Sequence, residues 1–244
     1  MKYNPSINIE YGIDKDFHYI VTPNAQAVTG ELLSSFHSGI HSFSVIGTYG
    51  TGKSSYLMAL ERDLFESAHY LIQNRKVFGD NIKGFECLNI LGDYSTLSKL
   101  LADKLKCNQS DDTKNIFIAL SEYCAKLKKE NKFLFIVVDE FGKILEHAAK
   151  NNPERELYFL QKLAEFVNVP TRNIILLTTL HQNFSAYAGN LTESQRNEWL
   201  KVKGRYKELV FSEPVEQLLF LAAEQISNSE LKYDSADIVE LLAL

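Results

Sequence analysis

Eight consecutive residues, Gly47-Thr48-Tyr49-Gly50-Thr51-Gly52-Lys53-Ser54, fit the pattern G-x-x-x-x-G-K-[ST]. Each type has a chemical reason to stand where it does. The glycines let backbone N–H groups curl around phosphate oxygens, and a helix starting behind them adds its positive end. Lys53 can reach β- and γ-phosphates, the Ser54 hydroxyl can ligate Mg²⁺, and Ser55 is counted with the nucleotide-binding residues. Such a loop needs a carboxylate on the neighbouring strand to hold the magnesium through water. Asp139 closes the apolar run Phe133-Leu134-Phe135-Ile136-Val137-Val138, where that carboxylate must sit. Glu140 follows and can polarise an attacking water. The bland alternative for the pair is an acidic turn after a buried strand. The chemistry implied is Mg²⁺-dependent hydrolysis of the γ-phosphate of ATP. Guanine specificity would want N-K-x-D, and Asn131-Lys132-Phe133-Leu134 breaks that pattern.

Other polar residues are more ambiguous. Thr178 and Thr179 end the apolar run Ile174-Ile175-Leu176-Leu177, and a hydroxyl there could touch the lytic water or the γ-phosphate. Threonines also simply suit a strand end. Asn89, inside a second apolar segment, could restrain Glu140 or be a satisfied edge-strand amide. His181 could touch phosphate or serve at the surface or as a cap; His37 and His41 show no ligand spacing. Arg205 sits on a short loop, flanked by Lys201, Lys203 and Lys207. It could neutralise a neighbouring subunit's γ-phosphate or be a solvated arginine in a basic loop.

The elements that must position these groups alternate strand and helix, the pattern of βαβ units and a parallel sheet. Strands are expected at Phe43–Ile46, Phe85–Ile90, Phe133–Val138, Ile174–Thr179 and Leu209–Phe211. Helices are expected over Lys53–Ile72, Thr96–Leu105 and Lys114–Lys129, the last burying Ile116, Leu120, Tyr123 and Leu127. Another starts at Pro153 and turns Leu157, Leu160, Leu163 and Val167 inward. Thr192 to Gln195 reads as a capping box, with Gly204 able to close that helix. Two helical stretches follow Pro214.

Taken together these segments resemble the AAA+ ATPases, in the branch of origin-recognition initiators and related signalling ATPases. The resemblance rests on Gly47–Ser54, on Phe135-Ile136-Val137-Val138-Asp139-Glu140, and on Leu177-Thr178-Thr179. It also rests on Gly204-Arg205-Tyr206 leading into Leu209-Val210-Phe211-Ser212-Glu213-Pro214 and Gln217-Leu218. The segment Leu88-Asn89-Ile90 followed by Thr96 adds to it. The likeness runs from about residue 20 to 225, and only the first two motifs are specific alone. It implies a three-layer α/β/α sandwich, a five-stranded parallel sheet in the order 5-1-4-3-2, a helical lid, and ring or filament assembly. By position it implies Thr178 or Thr179 as sensor and Arg205 as an arginine finger acting in trans. A second sensor arginine is not identifiable, and no substrate-threading aromatic loop is evident.

The bulk numbers narrow the field. A chain of 244 residues, 45% hydrophobic and 23% charged, has the composition of one large α/β domain. Residues 1–40 read as a lead-in segment with a helix, 41–213 as the ATPase core, and 214–244 as the start of a lid cut short. No apolar run approaches the roughly 20 residues that span a bilayer, and the first residues do not make a secretory signal. Cys87, Cys107 and Cys124 are scattered, which suits reduced thiols in the cytoplasm. A net charge of −5 gives no support for a large DNA-binding face. Two functional classes stay open: an ATPase that drives an attached domain or partner, as in bacterial defence or DNA transactions, and a nucleotide-gated assembly scaffold that hydrolyses little or nothing.

Overall fold

Every residue of β3 (Lys132–Asp139) beyond Lys132 is buried, as a strand covered on both faces requires. Its side chains alternate between two cores. Phe133, Phe135 and Val137 belong to one, and Leu134, Ile136 and Val138 to the other. A computed structural model of the chain describes residues 17–107, 113–189 and 191–227. In it β3 pairs with β2 (Gly84–Leu91) and β4 (Ile174–Leu180), β4 with β1 (Ser42–Ile46), and β1 with β5 (Lys207–Val210). All pairings are parallel, and the order β2-β3-β4-β1-β5 is the expected one.

The core containing Phe133 is closed by α1 (Pro23–His37) and α2 (Lys53–Phe65). The opposite core is closed by α3 (Leu97–Leu105), α4 (Thr113–Lys129), α5 (Phe141–Lys150), α6 (Pro153–Val167) and α7 (Glu193–Lys203). The capping box forms as read, with the Thr192 side chain accepting from Gln195 N. A last helix, α8 (Val215–Ser227), follows β5. The part of the expected lid beyond Ser227, and residues 1–16 of the lead-in segment, lie outside the described residues.

Three expectations need correction. The helix read as Lys53–Ile72 stops at Phe65. Fully buried Asp63 accepts the backbone N–H groups of Tyr70 (2.7 Å), Leu71 (2.6 Å) and Ile72 (2.7 Å), folding the chain back along α2. Ser67 and His69 take left-handed φ values of 56° and 61° to make that reversal. On α4 the core-facing residue is Cys124, with Tyr123 only partly buried. The fifth strand begins at Lys207 and ends at Val210, before Phe211. One helix had no counterpart in the sequence reading. α5 follows β3 directly, and it buries Phe141, Ile144, Leu145 and Ala148 at helical spacing.

Candidate functional site

The phosphate loop is built against two strands. Gly47 N donates to Leu180 O at 3.0 Å, tying the start of the loop to the end of β4. A Cβ on Gly47 would lie 2.1 Å from Phe211 O, so no larger residue fits. Gly50 and Gly52 have φ of 76° and 89°, the left-handed region that favours glycine. Gly52 caps α2 without any side-chain hydrogen bond, so the first-turn N–H groups have no side-chain acceptor at the cap. Lys53 folds across the loop, its Nζ donating to Gly47 O (2.6 Å) and Thr48 O (2.7 Å). Burial pushes its pKa down, while Asp139 and Glu140 oppose that shift. Thr51 Oγ1 donates to Thr48 O at 2.9 Å and stiffens the turn. Tyr49 stands out into solvent, and Ser55 is half-buried on α2.

The two carboxylates at the end of β3 meet this loop. Asp139 is only 3% exposed and its oxygens are taken. Ser54 Oγ donates to Oδ2 at 2.7 Å and Thr179 Oγ1 to Oδ1 at 2.5 Å. Glu140 N donates to both Asp139 Oδ1 and Thr179 Oγ1, each at 3.0 Å. The three elements β3, β4 and α2 are thereby joined at one point. Glu140 has φ 54° and ψ 37°, a costly conformation for a residue with a side chain, and it starts α5. Gly92 supports it from below. Its N–H donates to Asp139 O at 2.7 Å, and a Cβ there would come within 2.3 Å of Glu140 O. The Glu140 carboxylate pairs with Lys143 Nζ, one turn along α5, which pushes the lysine pKa up.

The remaining candidates separate. Thr179 joins the site, but Thr178 does not. Its hydroxyl is fully buried, donates to Phe43 O at 3.1 Å and shares a 2.8 Å hydrogen bond with Ser44 Oγ. The Asn89 amide is taken by Glu61, Nδ2 lying 3.1 Å from both carboxylate oxygens. Burial raises the Glu61 pKa, and the Asn89 hydrogen bond partly offsets it. His181 stacks on Tyr49 with ring centroids 3.4 Å apart. Burial and Lys53 hold its imidazole below the usual histidine range. Arg205 lies away from the phosphate loop of its own chain. Its carbonyl accepts from Ser42 Oγ at the N-terminal end of β1, whereas the loop leaves the C-terminal end. About 16 Å of strand separates those ends. The guanidinium is held by Glu165 Oε1 (Nε 3.2 Å, Nη2 2.9 Å) and by Lys201 O (2.6 Å). Gly92 and Lys143 were missed in the sequence. A glycine directly after a strand, and a lysine three residues past Glu140, were the available signals.

No protein-family model matches the sequence, and no curated protein matches it. Its structure is similar to that of the ORC2 protein of Aeropyrum pernix, solved in ADPNP–ADP complexes. The TM-score is 0.56 at 16% identity, covering 87% of this chain and 54% of that one. The two share the fold, a three-layer sandwich with the strand order that the resemblance to AAA+ ATPases implies. Cdc6p from Pyrobaculum aerophilum aligns at TM-score 0.47 and 17% identity, over 86% of this chain and 51% of that one. Domain III of the Thermotoga maritima replication initiation protein DnaA aligns at TM-score 0.44 and 16% identity, over 87% and 74%. The chain spans about half the length of the first two. Among the described residues, no helix is long and apolar enough to cross a membrane.

Proposed function

We propose that this chain binds ATP with Mg²⁺ and hydrolyses it to drive an attached domain or partner. The observation that carries this is the hydrogen-bonded junction of Ser54, Asp139 and Thr179 directly behind a glycine loop crossed by Lys53. Two oxygen donors from separate elements, one anionic and one neutral, suit Mg²⁺, which favours hard oxygen ligands. Ser54 and Asp139 would hold that ion, which neutralises phosphate charge when bound. The loop's backbone N–H groups and Lys53 would hold the triphosphate, and Glu140 would orient and deprotonate the attacking water. The missing N-K-x-D element favours adenine over guanine nucleotides.

A specific contact supports the second reading, a nucleotide-gated scaffold that hydrolyses little. The Glu140 carboxylate is engaged by Lys143 in an ion pair, so the group that would meet the attacking water already has a partner. Turnover of ATP by the purified chain, with and without DNA, separates the two. Binding itself is tested with Lys53→Ala, which leaves the β- and γ-phosphate charge without its cation. Mg·ATP affinity should drop beyond detection by calorimetry, at least about 100-fold. An unchanged affinity would overturn the assignment.

A further inference from the structure

A cleft of about 340 Å³ opens between α4 and α6, at the lower end of the roughly 300 to 1,000 Å³ that small-molecule sites occupy. Helical spacing accounts for its walls. α6 turns Leu157, Leu160 and Leu163 into the core, which leaves Tyr158, Lys162, Glu165 and Phe166 as the adjoining stripe at i, i+4, i+7 and i+8. Lys114 and Phe117, three residues apart on α4, line the other side. Phe117 and Phe166 are half-buried with ring centroids 5.8 Å apart, while Tyr158 is 57% exposed. Rings so placed give the cleft flat apolar walls that open to solvent.

The charge of the cleft is lopsided. Of the described residues that line it, Glu165 alone is acidic. Its Oε2 accepts from Lys162 Nζ at 2.9 Å, and its Oε1 accepts from Gln161 Nε2 at 2.9 Å and from Arg205 Nη2 at 2.9 Å. Lys162, Gln161 and Arg205 push its pKa down to about 2, so it stays a fixed anion. The Lys162 ammonium also stands 5.6 Å from the centroid of the Tyr158 ring. One carboxylate therefore answers both Lys162 and Arg205, which leaves surplus positive charge beside the rings in a chain whose net charge is −5.

We propose that this cleft binds a small planar aromatic anion, its ring lodged among Phe117, Tyr158 and Phe166 and its charge on the Lys162 ammonium. The flat walls select a ring over a puckered or aliphatic group, and the surplus cation selects an acid over a neutral molecule. The proposal stands apart from the nucleotide reading, because the cleft shares no residue with the phosphate loop or with Asp139 and Glu140.

The test titrates 2-naphthoate, a flat acid without phosphate, into the nitrogen-15-labelled chain and follows the amide shifts by nuclear magnetic resonance. Shifts should change on α4 and α6 around Phe117 and Lys162, with a Kd of about 1 mM or tighter for a fragment of this size. Naphthalene-2-methanol, flat but neutral, and cyclohexanecarboxylate, charged but puckered, should each bind at least about threefold more weakly. Lys162→Met should erase the preference for the acid over the alcohol, and Tyr158→Leu most of the preference for the flat acid over the puckered one. Glu165→Gln releases Lys162 from its carboxylate and should tighten naphthoate binding about threefold, a gain that a merely apolar groove would not show. Neither Tyr158 nor Lys162 is buried, so these variants should fold, as circular dichroism would check. If Lys162→Met does not fold, Lys162→Gln carries the same comparison. Equal affinity for naphthoate and its alcohol, shifts scattered away from the cleft, or no saturable shift at about ten times that concentration would each overturn the proposal.

Discussion

Asp139 and Glu140 are adjacent carboxylates in opposite surroundings. Asp139 is buried and saturated by Ser54 Oγ, Thr179 Oγ1 and the Glu140 N–H. Glu140 keeps about a third of its side chain in solvent and meets a single lysine. The first environment suits a fixed anion that holds an ion; the second leaves a carboxylate partly open to solvent, where an attacking water would stand. Glu140→Gln should therefore bind Mg·ATP with near-normal affinity and lose about 10² to 10⁴ in turnover, the range typical of a removed general base. Asp139→Asn should instead weaken binding only when Mg²⁺ is present. Calorimetry with and without Mg²⁺, beside a phosphate-release assay, distinguishes them; normal turnover in Glu140→Gln would place water activation elsewhere. These residues were legible because the chemistry requires contiguous types: a glycine loop, then a carboxylate closing an apolar strand. The choice between Thr178 and Thr179 was not, because it depends on register. Val138 pairs with Thr178, which sets Thr179 level with Asp139 and turns Thr178 to the other face.

At the scale of elements, the strands could be read because parallel strands buried on both faces are short apolar runs. The end of α2 was misplaced for a related reason. Leu71 continues the helical spacing, but a buried carboxylate at Asp63 offers three backbone N–H groups an alternative acceptor. That competition is invisible to periodicity. α5 was missed because it begins on Glu140 itself, with no capping side chain to announce it. The loop after α2 yields a prediction of its own. Asp63→Ala would strand the N–H groups of Tyr70, Leu71 and Ile72, at roughly 1 kcal/mol or more each, so about 3 kcal/mol of stability should go. Asp63→Asn retains one acceptor oxygen, still able to serve part of the three, and should lose less. Urea denaturation would measure both. Equal stability of Asp63→Ala and wild type would mean the loop is held by other contacts.

At the scale of the whole molecule, the position of Arg205 sets a constraint on how the chain could work. The strand length between Arg205 and its own phosphate loop rules out a direct role within one subunit. In the described structure Glu165 and Lys201 O hold the guanidinium, and neighbouring lysine and glutamine keep Glu165 ionised, with its pKa lowered to about 2. The residue types alone leave a solvated arginine as a competing account; the resemblance to AAA+ ATPases is what suggests a finger. A trans role predicts that Arg205→Ala keeps ATP affinity nearly intact while turnover falls, by as much as about 10³-fold. Mixing Arg205→Ala with Glu140→Gln then tests the geometry. A mixed interface can join an intact Glu140 to an intact Arg205 from the neighbour, so part of the activity should return. A finger serving its own chain allows no such recovery, because every chain in the mixture still lacks one essential group. Light scattering must first show that the two variants co-assemble. If they do and no activity returns, Arg205 is a structural arginine that ties α7 to α6 through Glu165, and Glu165→Ala should then destabilise the fold as much as Arg205→Ala does.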